Sequence, residues 1–200
     1  MDEADIRKYA AAMKEIKLRV EVITLFLTGQ REARYMPTTV ETVGLQFRKV
    51  FELIAFASLA ANRAAYSSAY SDFAKHWEAT KLVKNLRRIN RLFYPQPVVE
   101  TLSSTGAPRS LAPSQKDYLE EAELVEAHGR CGSLMHAANP FGQPIDHSSY
   151  QKAFHTWLPR TMNLLNCHQV HLPGDTGFWV IHMKEDSDDE VHYYRFERQG

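Results

Sequence analysis

The residues best able to do chemistry together lie in the stretch His128-Gly129-Arg130-Cys131-Gly132-Ser133-Leu134-Met135-His136. An imidazole exchanges protons near neutral pH and serves as a general acid or base. A guanidinium grips a phosphate through two parallel hydrogen bonds and offsets charge that builds on its oxygens. Arg130 and His136 are six positions apart, which places them about 120° apart around an ideal helix. They can serve one substrate through the long arginine arm, a break near Gly132, or a second copy of the chain. The purely structural use of the same pair is to bind the last carbonyls of their own helix and a neighbouring carboxylate.

A second feature is cationic. Lys81, Lys84, Arg88 and Arg91 fall within about 80° on an ideal helix, with Arg87 beside them. Such a stripe can track a nucleic-acid backbone, or it can be a solvated face. Glu78 precedes Lys81 by one turn and can pair with it. Cys167, His168 and His171 are close in sequence, and His182 and His192 lie further on, but none has a recognised ligand spacing. No metal and no cofactor is therefore expected. Cys131 beside Arg130 could be a reactive thiol or, on the better reading, a buried small residue. Tyr66, Tyr70, Phe73 and Trp77 follow helical steps, as core or as an interface stripe. The chain has no phosphate-cradling glycine loop and no Gly-x-Ser-x-Gly elbow.

These residues need elements to hold them, and the patterning is mostly helical. Apolar residues at Ile6, Tyr9, Met13, Ile16, Val20, Ile23 and Leu27 recur in steps of three and four, predicting an amphipathic helix over 2–30, capped by Asp2 and stopped at Gly29. A second helix opening at Thr38 or Thr39 and running to 61 is apolar on more than one face, the mark of a central helix. A third reaches Asn90, with breaks available at Ser67-Ser68 and Ser71-Asp72, early anchors Phe73 and Trp77, and later ones Leu82, Leu86 and Ile89. Residues 94–113 read as a long polar connection. A fourth helix is expected over 115–136, opened by Ser114 and weakened by Gly129 and Gly132. A fifth spans 148–166, from the capping-box sequence Ser148-Ser149-Tyr150-Gln151 and through Pro159.

The tail alternates instead. Residues 178–184 and 191–197 predict a hairpin with Trp179 opposite Phe196, Ile181 opposite Tyr194 and Met183 opposite His192, and 169–172 can add a third strand. In this register His192 points to the apolar face and His182 away. The expected architecture is mainly α, with about five helices and a C-terminal antiparallel β-hairpin or small meander. The division is a helical domain over 1–166 and an appendage over 167–200.

Arg130 and His136, late in a helix, resemble the Arg-x4–6-His motif of the HEPN superfamily. The second helix, with Leu45-Gln46-Phe47-Arg48-Lys49-Val50-Phe51-Glu52-Leu53, is similar to the apolar, Arg- and Glu-bearing early helix common in that superfamily. The resemblance extends over residues 1–166 and leaves the hairpin outside it. It implies an all-helical domain and a metal-independent endoribonuclease of bacterial defence or toxin type. Arg130 would bind the scissile phosphate and His136 would act as acid or base, with the ribose 2′-hydroxyl as nucleophile. It also implies a homodimer, because motifs from two protomers commonly line one cleft. The position after the arginine, often Asn, Asp or His in the family, is Cys131 here.

Composition narrows the surroundings. Lys plus Arg equals Asp plus Glu at 24 each, so attraction to RNA must come from a local patch. Two cysteines are too few for a disulfide scaffold, and the longest apolar run is about half a membrane span. With no apolar signal core behind the N-terminus, a cytoplasmic protein with no membrane contact is expected. The rival to the ribonuclease comes from another class. It is a non-catalytic helical module that binds a protein partner in a larger complex through the second helix, the aromatic stripe or a hairpin edge, whereas the protein partner of the toxin reading would be an antitoxin.

Overall fold

Asp2 starts the first helix by accepting the Asp5 N–H at 2.8 Å. In the computed structural model, which describes residues 1–72, 75, 78–102, 108–185 and 188–197, this helix, α1, runs Glu3–Leu27. Ile6, Tyr9, Met13, Ile16 and Ile23 are its fully buried face. Gly29 then takes a left-handed φ of 73°, which costs a glycine nothing, and the chain reverses. The next helix, α2, spans Met36–Ala61 and so opens before Thr38, with Pro37 in its first turn. Proline suits that position because the N–H it lacks would have no helical partner there. The α2 side chains Val40, Val43, Phe47, Val50, Phe51 and Ile54 are all buried, as its broad apolar patterning predicts.

The predicted third helix is two. The short α3 covers Arg63–Ala69, and α4 covers Ala79–Ile89. Arg63 reaches back to α1, with its Nε 2.6 Å from the buried Asp5 carboxylate and its Nη2 2.7 Å from Asp2. The anchors assigned to Phe73 and Trp77 lie outside the described residues. Asn90 closes α4. Its amide donates to Asn62 Oδ1 at 2.9 Å and to the His171 carbonyl at 2.8 Å, joining the ends of α2 and α4 to the sheet.

The β structure corrects the expected fold class. Where the sequence predicts a long polar connection, β1 (Gln96–Leu102) and β2 (Pro108–Pro113) form an antiparallel pair, with Val99 opposite Ala112 and Glu100 opposite Leu111. Prolines at 97, 108 and 113 hide these strands from a pattern reading, since proline cannot donate to a ladder. Two of the three bound β2, an edge strand, where the missing N–H is tolerated. The tail supplies β3 (Cys167–His171), β4 (Gly177–His182) and β5 (His192–Glu197). All five make one antiparallel sheet in the order β2-β1-β3-β4-β5. The protein is therefore mixed α and β, with a five-stranded sheet in place of a small hairpin. That sheet takes strands from both sides of residue 166.

The β4–β5 register is also corrected, by one residue. Phe178 faces Phe196, Val180 faces Tyr194 and His182 faces His192. Because side chains alternate, one step exchanges the faces. Met183 leaves the ladder, is buried, and donates its N–H to the Asn166 carbonyl at 3.0 Å. Lys14 pairs with Glu190, and Lys17 lies 2.7 Å from Asp189, so this turn is held against α1.

Helix α5 begins at Glu121 and ends at Ser133, shorter at both ends than expected. Its approach is fixed by α6 (His147–Leu165). Leu119 donates its N–H to the Arg160 carbonyl, and the Arg160 guanidinium binds the Tyr118 carbonyl, Asp117 and Glu123. Asp146, rather than Ser148, caps α6 by accepting the Ser149 N–H. Pro159 and His155, whose carbonyl the proline leaves without its helical donor, both lie on its exposed face. Phe47 and Phe51 of α2 pack on Phe154 and Trp157 of α6, with ring centroids 5.3–5.9 Å apart, and make the centre of the core.

Candidate functional site

The end of α5 is assembled against α2 and α6. Arg130 lies in the last turn, half-buried, its guanidinium carbon 5.4 Å from the Tyr150 ring and 5.3 Å from that of Trp157. It donates weakly to Ser149 Oγ at 3.3 Å, and Tyr150 returns a bond from its hydroxyl to the Arg130 carbonyl at 3.1 Å. Aromatic faces attract a guanidinium without neutralising it. Among the described residues Arg130 has no carboxylate partner, so its charge remains available to an anion.

His136 stands three residues beyond the helix end, on exposed chain, with no hydrogen bond or ion pair among the described residues. The helical angle that separates it from Arg130 does not apply beyond Ser133. What fixes the exit is Leu134, buried against α2 at Gly44, where a Cβ would stand 2.5 Å from Leu134 Cδ1.

On the side of α5 that faces α2 is a group that spacing alone did not single out. Glu52 of α2 receives Arg48 Nε at 3.2 Å, Lys49 Nζ at 3.5 Å and His128 Nε2 at 3.3 Å. Arg48 also reaches the His128 carbonyl at 3.4 Å. It passes directly over Gly132, where a Cβ would meet its Nη1 at 2.8 Å. Burial, then the Arg48 charge, lowers the His128 pKa. The Arg- and Glu-bearing stretch of α2 thus supports α5 from below, through contacts across 76 positions of sequence. Cys131 is fully buried, and burial pushes its thiol up to about 12, so it is the inert small residue rather than a reactive thiol.

The cationic stripe is divided. Lys81 is paired with Glu78 at 2.7 Å, and Arg87 is held by both oxygens of Glu121. Lys84 and Arg88 are exposed on α4 with no ion pair among the described residues. Arg91 lies past the end of α4 and lines, with Arg87, Tyr94 and Tyr118, a cleft of about 420 Å³. The Arg87–Glu121 pair joins the end of α4 to the start of α5, and the Glu78 charge acts on His128 near the end of α5. The two helices are therefore antiparallel, with Lys84 nearer the Arg130 end than Arg88 and with Arg91 at the far end. Of the aromatic stripe, Tyr66 is fully buried and Tyr70 half-buried; Tyr66 is core.

The sheet brings together residues that the sequence keeps far apart. Glu100 of β1, Cys167 of β3 and His182 of β4 place a carboxylate oxygen, a sulfur and an imidazole nitrogen within 4.8 Å of one another. Burial and the Glu100 charge push the Cys167 thiol up to about 12. By contrast, His168, next in sequence to Cys167, is turned to the opposite face and is bound to Tyr9 and Leu165. His171 Nε2 lies 3.2 Å from Gln169. No helix among the described residues is long and apolar enough to cross a membrane. No protein-family model, no curated protein and no solved structure matches this chain.

Proposed function

We propose that the end of α5 binds and cleaves RNA without a metal, as a HEPN-like endoribonuclease of bacterial defence or toxin type. The observation that supports this reading is the state of Arg130. It is a half-buried guanidinium cradled by Tyr150 and Trp157 with no carboxylate against it among the described residues, and exposed His136 lies just beyond the helix. Arg130 would hold the non-bridging oxygens of the scissile phosphate. His136 would take the 2′-hydroxyl proton as the 2′-oxygen bonds to phosphorus. The bond from phosphorus to the 5′-oxygen breaks, and that oxygen takes a proton from water. The products are a 2′,3′-cyclic phosphate and a 5′-hydroxyl. Lys84 and Arg88 would carry the strand away from the cut. Two copies of the chain pairing these ends would supply a second His136 to protonate the leaving oxygen.

The test is incubation of the purified chain with total RNA in EDTA, with end-group analysis of the products. Cyclic phosphate ends are expected, with cleavage lowered by roughly 10²–10⁴ in His136→Ala and also lost in Arg130→Lys, which keeps charge but not the planar fork. A folded wild type that cuts no RNA overturns the reading. In that event a non-catalytic module binding a protein partner is the better account. A specific surface favours it: Leu18, Val22 and Leu25 are 58%, 36% and 36% exposed at helical spacing on α1, and Leu45 on α2 is 39% exposed.

A further inference from the structure

We propose that Glu100, Cys167 and His182 form a binding site for a thiophilic divalent cation, with Zn²⁺ the ion that fits the donor set. The sheet register makes the site. Cys167 and His182 are direct partners across β3 and β4, so their side chains stand on the same face, and Glu100 reaches them from β1. The convergence is on one atom. His182 Nε2 lies 3.2 Å from Glu100 Oε1 and 4.0 Å from Cys167 Sγ. A carboxylate–imidazole ion pair alone needs no thiol, and a single N–H cannot serve both neighbours.

A tetrahedral zinc ion has bonds of about 2.3 Å to sulfur and about 2.0–2.1 Å to nitrogen and oxygen. Those bonds require its donors to be about 3.3–3.6 Å apart. The two separations from His182, 3.2 and 4.0 Å, lie to either side of that range, and no two of the three donors are more than 4.8 Å apart, so small side-chain rotations bring them onto one ion. The donor chemistry favours the same ion, since a thiolate with imidazole selects zinc over magnesium or calcium. The side chains of Glu100 and His182 are only 13% and 17% exposed, which leaves them largely dehydrated yet reachable.

Among the described residues, neither candidate for a fourth ligand on this side is free. His192, opposite His182, places its Nε2 2.8 Å from Asp188, and the Tyr194 hydroxyl, on a ring against His182, donates to Glu185 at 2.5 Å. Among the described residues the three protein ligands leave one vertex for water or a small anionic ligand, the arrangement of an open rather than a closed zinc site.

The experiment titrates the metal-stripped full chain with Zn²⁺ against a chromophoric chelator. It then replaces Zn²⁺ by Co²⁺ to observe the thiolate-to-cobalt absorption that only a Co–S bond produces. One ion per chain and that absorption are expected. Cys167→Ser abolishes the absorption, and His182→Ala weakens Zn²⁺ binding by on the order of 100-fold, at least the cost of losing an outer-shell partner. Glu100→Gln, nearly isosteric, keeps the fold and still weakens binding, whereas His192→Ala leaves it within a few-fold. A folded wild type without the cobalt–thiolate absorption overturns the proposal. So does a Cys167→Ser chain that binds Zn²⁺ as tightly as wild type, or a loss in His192→Ala equal to that in His182→Ala.

Discussion

His168 is fully buried, with both ring nitrogens occupied: Nδ1 lies 2.8 Å from the Leu165 carbonyl and Nε2 2.8 Å from the Tyr9 hydroxyl. A carbonyl only accepts, so the proton is on Nδ1, and Nε2 accepts from Tyr9. Burial lowers the pKa of this imidazole from an ordinary 6.5 to about 4. Above pH 6.5 the group is neutral in both states and contributes no pH dependence. As pH falls from 6.5 to 4 the unfolded chain takes a proton that the folded chain refuses. Stability falls by about 1.4 kcal/mol per pH unit, or roughly 3 kcal/mol over the window. His168→Gln keeps a donor and an acceptor but cannot titrate. In urea unfolding its loss between pH 7 and 4.5 is expected to be smaller than that of wild type by about 2–3 kcal/mol. Equal losses would assign the acid sensitivity to other groups. Tyr9→Phe leaves the buried Nε2 without a donor and is expected to cost about 1–3 kcal/mol at pH 7; a change within error would mean that water replaces the hydroxyl.

Elements meet here at small residues and at buried amides. Gly44 lets Leu134 dock on α2, and a methyl there would overlap the leucine, which is itself buried. Gly44→Ala is expected to destabilise the fold by about 1–3 kcal/mol, the usual cost of overpacking a core. It should also release the exit of α5, read as faster amide exchange at Leu134–His136 than at α1. Unchanged exchange there would mean that Leu134 does not fix the chain carrying His136. Asn90 performs the corresponding task at the end of α4, where its amide satisfies Asn62 and the His171 carbonyl, and its own Oδ1 accepts the Leu92 N–H. Asn90→Ala removes three bonds in a buried place, so a loss of about 2–4 kcal/mol is expected in denaturant unfolding. A loss below about 0.5 kcal/mol would show the three elements held by apolar packing alone.

For the whole molecule, the sheet makes the two parts of the chain interdependent. The strand β1 lies between β2 and β3, and Tyr9 of α1 is bonded to His168 of β3. Residues 1–166 by themselves would lose β3, β4 and β5 and leave β1 unpaired on one side, with an open edge. That fragment is expected to be unfolded or aggregated by near-ultraviolet dichroism and sedimentation, while residues 1–200 unfold in one cooperative transition. A soluble fragment with native dichroism would make the sheet an appendage. Hydrogen exchange tests the same topology from within, since the central β3 should be protected longest and the edges β2 and β5 least.

Much was legible along the chain. Periodicity located α1, α2 and α6, because an apolar stripe every three or four residues is a local property of sequence. Gly29 and Asp2 marked the limits of α1 for equally local reasons. The pairing of β1 with β2 was not legible, since Pro97, Pro108 and Pro113 read as loop and only neighbouring strands make them strand. Nor was the β4–β5 register. A single-residue shift depends on where Met183 is buried and on how the turn is held by Lys14 and Lys17. The sequence by itself determined which residue types were at hand: Arg130 six positions before His136, the cations around α4, and Cys167, His168, His171, His182 and His192 at spacings that pointed to no metal. Tertiary structure alone decided their company, because contacts across tens of residues are set by packing and strand register rather than by spacing. It cradled Arg130 in two aromatic rings, set Glu52 against His128, buried Cys131, and brought Glu100 to Cys167 and His182.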